Sequence, residues 1–134
     1  MVGLLLITHG ALGDDLLRTA AHTLGQPLER AESVAVSDRD TPETLLVRAR
    51  AALARLDDGS GVLLLTDMFG ATPANVAAKL LANGRVEGLS GASLPMVVRA
   101  LAHRHEPLAA VVEKARSGAS EGVVYMNTDR CCRA

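Results

Sequence analysis

The sequence predicts an α/β fold, a mostly parallel β-sheet with helices on both faces. Three observations carry that expectation. Short apolar runs alternate with stretches whose apolar residues recur at helical spacing, the pattern of successive β–α units. The runs at 2–7 and 62–65 show no polar alternation, as strands buried on both faces should not. Both runs stop abruptly at polar residues, Thr8 and His9 in the first case and Thr66 and Asp67 in the second. Right-handed crossovers place all carboxyl ends of such strands along one edge, where open α/β sheets bind ligands.

The elements follow in order. After the first strand, Leu12, Leu16, Leu17, Ala20, Ala21 and Leu24 form one helical stripe. Asp14 and Asp15 suit the positive end of that helix, and Gly25 with Pro27 stops it. His22 falls off the stripe and reads as a surface or packing residue. A short second strand covers 32–36, followed by a polar loop at 37–40. Thr41 reads as an N-cap, Pro42 as N1, and Glu43 adds charge to the first turn. Leu45, Leu46, Ala49, Ala52, Leu53 and Leu56 mark an amphipathic helix whose arginines at 48, 50 and 55 belong to its solvated side.

A turn at 57–61 precedes the third strand, 62–65. Thr72 and Pro73 repeat the N-cap and N1 signal for a helix running to Leu81, closed by Asn83 and Gly84. A weaker strand covers 86–91. Residues 92–95 lead into a helix carrying Met96, Val97, Ala100 and Leu101, broken at Glu106 and Pro107. A further helix holds Leu108, Val111, Val112 and Ala115 and ends at Ser117 and Gly118. Val123 to Met126 read as a last strand. With no repeat, low-complexity tract or interdomain linker, the chain reads as one domain, 1–134.

Composition narrows the class. Of the 134 residues 49% are hydrophobic and the formal net charge is −1, which describes a globular chain without the basic footprint of a nucleic-acid binder. No apolar stretch approaches the ~20 residues needed to span a bilayer, and the N-terminal run lacks the basic flank of a signal peptide. Cys131 and Cys132 are adjacent, without metal-ligand spacing or a framework role, and read as a reduced tail. A soluble cytoplasmic protein is the expectation.

The chemistry concentrates on His9. If the first and third strands are neighbours at a switch point, Asp67 lies beside it. A carboxylate on one imidazole nitrogen fixes the tautomer and leaves the other nitrogen as a nucleophile. The turn Gly70-Ala71-Thr72 opens a helix, and its amides and hydroxyl suit an anion such as a phosphoryl group. Together these suggest phosphoryl transfer through a phosphohistidine. The plainer alternatives stay open at this point: His9 as a loop histidine, Asp67 as a turn cap, Thr72 as an N-cap only. One His and one Asp are too few for a metal site, and His103 and His105 fall on a distant helix end, so neither a metal nor another cofactor is expected. Neither a G-x-S-x-G elbow nor a P-loop occurs.

The segments Leu6-Ile7-Thr8-His9-Gly10, 66–75 (from Thr66 and Asp67 through Phe69, Gly70, Ala71, Thr72 and Pro73 to Asn75) and Leu94-Pro95-Met96 carry a resemblance. In that order and spacing the chain resembles the enzyme IIA domain of the mannose/fructose/sorbose family of the bacterial phosphotransferase system. The resemblance implies a three-layer α/β/α domain with a four-stranded parallel sheet of order 2-1-3-4, plus a C-terminal antiparallel strand exchanged between the subunits of a homodimer. It implies that His9 accepts a phosphoryl group on Nε2 from the phosphohistidine of HPr and passes it to a IIB protein in sugar uptake, while Asp67 holds Nδ1. Gly70, Ala71 and Thr72 would form the phosphate-binding turn. Phe69, Leu94, Pro95 and Met96 would form the partner-binding rim. The protein would be at most peripheral to a membrane permease, and no IIB domain is expected after the last strand.

The chain departs from the family pattern in having Ala71 where a second glycine is frequent and Ser93 where Asn often precedes the L-P-M segment. Neither change removes the His9–Asp67 pair, and both would alter the rim and hence the choice of IIB partner. Two further functions fit the same residues: a regulatory module whose phosphorylation state controls a target protein, and the phosphoryl donor subunit of a dihydroxyacetone kinase system.

Overall fold

Six successive buried residues make β1 (Gly3–His9) the centre of the sheet, since only a strand covered on both faces can bury such a run. The computed structural model describes residues 1–128. β1 pairs in parallel with β2 (Ala31–Val36) on one side and β3 (Val62–Thr66) on the other, and β4 (Val86–Leu89) pairs in parallel with β3. The order is β2-β1-β3-β4, the one that the family resemblance implies. All four carboxyl ends therefore lie along one edge.

The period-two alternation of β1 splits the core into two layers. Leu4 and Leu6 pack with Leu63, Leu65 and the inner faces of α1 (Leu12–Leu24), α4 (Leu94–His103) and α5 (Leu108–Glu121). Leu5 and Ile7 pack with Val62, Leu64 and the inner faces of α2 (Pro42–Leu56) and α3 (Thr72–Ala78). Each fully buried Leu or Ile contributes roughly 1.5–3 kcal/mol, so the middle strands supply much of the driving force. Continuing the alternation, Thr8 faces the first layer and His9 the second.

Several element boundaries differ from the sequence reading. Thr72 is not an N-cap: it is the first helical residue of α3, and Ala71, which offers no side-chain cap, precedes it. The first amides of a helix lack intrahelical partners anyway, so Pro73 is tolerated at either of the first two positions and does not set the register. α3 also stops at Ala78 rather than Leu81, because Lys79 and Leu80 donate their backbone N–H groups to Val76 and Ala77 and tighten the last turn. α5 runs through Gly118 to Glu121. Gly118 marks a close helix contact rather than a stop: a Cβ there would lie 2.5 Å from Arg99 Cγ.

Val123 to Met126 form no strand among the described residues, and Val123 and Met126 are strongly exposed. A strand exists only with a partner ladder, and within this chain the segment reaches neither sheet edge, β2 or β4. Cys131 and Cys132 lie outside the described residues.

Candidate active site

The site is made by the tips of two neighbouring strands. In the β1–β3 register Ile7 is opposite Thr66, so His9 and Asp67 emerge side by side at the carboxyl edge. Asp67 Oδ2 accepts two hydrogen bonds from the same residue, one from the His9 backbone N–H at 3.0 Å and one at the ring Nδ1 at 2.8 Å. Its other oxygen accepts the Met68 backbone N–H at 2.9 Å. The carboxylate side chain is 11% exposed, while the imidazole is 51% exposed.

The electrostatics assign the roles. Burial acts to raise the Asp67 carboxyl, but the His9 backbone N–H, the His9 ring and the Met68 N–H outweigh it and hold it below the ordinary 3.8. Asp67 is therefore ionised at neutral pH and can only accept. Nδ1 must carry the proton, and in the neutral ring Nε2 is left with its lone pair.

The surroundings of His9 differ in part from the sequence reading. A cleft beside the ring is lined by Val36, Ser37, Asp38, Asp40, Pro42 and Thr72. Thr72 thus shares a wall with His9 and presents an exposed side chain, while Gly70 adopts the left-handed conformation at φ +84° and Ala71 is half-buried. Reading 37–40 as a polar loop does not single out Ser37, Asp38, Asp40 or the following Pro42 as neighbours of the histidine. The available signal is their position just after β2, whose carboxyl end adjoins that of β1. That loop is fixed by Asp40, whose Oδ2 accepts the Ser37 N–H at 2.8 Å and the Ser37 hydroxyl at 3.0 Å. Asp40 Oδ1 accepts from Arg48 at 3.0 Å.

The expected rim is only partly exposed. Phe69 is 83% exposed and lines a separate apolar groove with Leu64, Ala77, Leu81 and Leu89. Leu94 is half-buried and Pro95 exposed, the latter set against the end of α5, where a Cβ on Gly122 would lie 2.8 Å from Pro95 Cγ. Met96 is a correction: at 2% exposure it belongs to the core, sharing the inner face of α4 with Val97 and Ala100, and offers no surface to a partner.

A family model described as the PTS system fructose IIA component matches residues 3–116. The chain belongs to this family. The mannose-specific EIIAB component of the phosphotransferase system of Escherichia coli K12 is 32% identical over 124 residues, covering 87% of this chain. The chain spans 38% of the length of that relative. Among solved structures, the phosphotransferase system component EIIA of Streptococcus agalactiae superposes with a TM-score of 0.84 at 25% identity, covering 96% of this chain and 100% of the other. The mannose/sorbose-specific IIA subunit of Enterococcus faecalis gives a TM-score of 0.81 over 92% of each chain, and at 21% identity it speaks for the fold alone. The α/β architecture and strand order found here are those of a IIA component of the mannose/fructose type. No helix among the described residues is long and apolar enough to cross a membrane.

Proposed function

We propose that this IIA component is a phosphohistidine carrier in sugar uptake, with His9 as the reacting group. The observation that carries the reading is the double hydrogen bond from His9 to one oxygen of Asp67, at 3.0 and 2.8 Å, beside an exposed ring. The Nε2 lone pair attacks the phosphorus of a phosphohistidine on HPr. A new N–P bond forms, the N–P bond to the donor breaks, and the donor imidazole leaves with that electron pair. The phosphorylated His9 ring, still protonated at Nδ1, carries positive charge that the ionised Asp67 stabilises. A histidine or cysteine side chain of a IIB protein then takes the group in a second in-line transfer, restoring neutral His9.

Such a transfer depends on positioning and charge stabilisation more than on covalent chemistry by the protein. Gly70, Ala71 and the Thr72 hydroxyl would steady the phosphoryl oxygens from the α3 side of the cleft. α3 has only 7 residues, so the contribution of its dipole is small beside that of Asp67. Phe69, Leu94 and Pro95 would meet the protein partners, because transfer between two rings requires direct contact of the two surfaces. The protein would act in the cytoplasm, at most peripheral to a membrane permease.

A homodimer fits the same reading. Beyond an antiparallel bridge between Ala82 and Val86, the outer edge of β4 carries no strand among the described residues and the adjoining groove is apolar, so residues 123–126 of a second copy would find both a ladder and a surface there.

Incubation with enzyme I, HPr and phosphoenolpyruvate, followed by intact-mass measurement, tests the carrier. One acid-labile phosphoryl group is expected on the native chain and none on His9→Gln. A native chain that stays unmodified, or a variant that is still modified, would refute it.

A further inference from the structure

Thr8 is the residue before the reacting histidine, and its side chain is fully buried, at 0% exposure. A hydroxyl placed there needs a partner. It finds one across the connection to α1: Thr8 Oγ1 accepts the Gly13 backbone N–H at 2.8 Å. Gly13 is itself buried in the first turn of α1. A Cβ at Gly13 would lie 3.0 Å from Thr8 Oγ1 and 2.2 Å from Ser33 Oγ, so only glycine lets the helix approach this closely.

The chain from His9 to Leu12 is therefore tied at both ends. On the sheet side the Gly10 N–H donates to Val36 O at 3.0 Å. On the helix side the Thr8 hydroxyl holds Gly13. Between these anchors the His9 backbone N–H donates to Asp67 Oδ2, and that same oxygen accepts the hydrogen bond from the ring Nδ1.

We infer that Thr8 is a positioning residue: its hydroxyl, by pinning the start of α1, holds the His9 backbone and ring on Asp67 and so keeps Nε2 unprotonated. Thr8 touches neither phosphorus nor partner and acts only through His9. Removing the hydroxyl while keeping the shape leaves the buried Gly13 N–H unsatisfied and frees the turn. The His9–Asp67 pair then loosens, and the tautomer with the proton on Nε2 gains population. The inference adds a residue to the carrier reading and rests on it for the kinetic part only.

The test compares Thr8→Val, Thr8→Ser and Thr8→Cys with the native chain. Imidazole nitrogen NMR shifts of the unphosphorylated protein report the tautomer directly. The native and Ser proteins are expected to show His9 protonated at Nδ1, and the Val protein a mixture. With phospho-HPr as donor, Thr8→Val should lose on the order of tenfold in kcat with KM for HPr unchanged, and Thr8→Ser should recover it. Thr8→Cys keeps a side chain of similar size with a weaker acceptor, is expected to fall between the two, and covers the case that the valine protein does not fold. Native nitrogen shifts in every folded variant lacking the hydroxyl would overturn the inference, as would a serine variant no better than valine. If the native chain accepts no phosphate at all, the carrier reading fails, while the nitrogen shifts still decide the role of Thr8.

Discussion

In the proposed carrier His9 and Asp67 divide the work unequally, and the division can be tested one atom at a time. Asp67→Asn keeps size and shape, yet its amide can present an N–H to Nδ1 and move the ring proton to Nε2. Phosphoryl acceptance should fall on the order of a hundredfold while the fold persists, measured as the rate of labelling from phospho-HPr. Acid acts on the same group. Asp67 has a lower pKa folded than its ordinary 3.8, so its contribution to stability is present above that value and fades as pH falls through the lower folded value. Acid unfolding followed by circular dichroism should therefore begin at higher pH in a variant whose Asp67 partners are weakened than in the native chain. Both residues are legible in the sequence because each stands among the first polar side chains past an apolar run. The role of Thr8 is not: a threonine at a strand end looks alike whether its hydroxyl faces water or, as here, a helix amide 2.8 Å away.

At the scale of elements, local signals are sound where they are redundant. α2 begins where Thr41 and Pro42 place it, and the structure adds a reciprocal cap, Thr44 N–H to Thr41 Oγ1 at 3.2 Å and Thr41 N–H to Thr44 Oγ1 at 3.1 Å. Thr41→Ala should cost about 1 kcal/mol in urea unfolding. A signal that stands alone misleads. Thr72-Pro73 repeats the Thr41-Pro42 pattern but lacks a reciprocal partner, and the helix starts one residue earlier. Met96 fits two readings, stripe and rim, and its i,i+4 spacing to Ala100 is the better guide. Met96→Ala should cost roughly 2–5 kcal/mol, a core penalty that an exposed rim residue would not show. Residues 123–126 have strand-forming chemistry, but a ladder depends on a partner that local sequence does not contain.

Across the whole molecule, two helical layers clamp a sheet whose carboxyl edge is left open, and that edge is where the polar tips gather. That β1 and β3 occupy the middle is legible because they are the two fully apolar runs, while the placing of β2 beside β1 and β4 beside β3 comes from the family resemblance. The surfaces proposed to meet a partner are less so, since exposure is set by packing elsewhere. Phe69→Ser should leave stability within about 0.5 kcal/mol, because the ring is exposed, while raising the KM for HPr. The phosphorylated protein itself offers the most direct test. Nitrogen and phosphorus NMR of the product formed with enzyme I, HPr and phosphoenolpyruvate should show phosphorus coupled to Nε2 of His9, with the Nδ1 proton retained. Phosphorus on Nδ1, or on any other side chain, would contradict it.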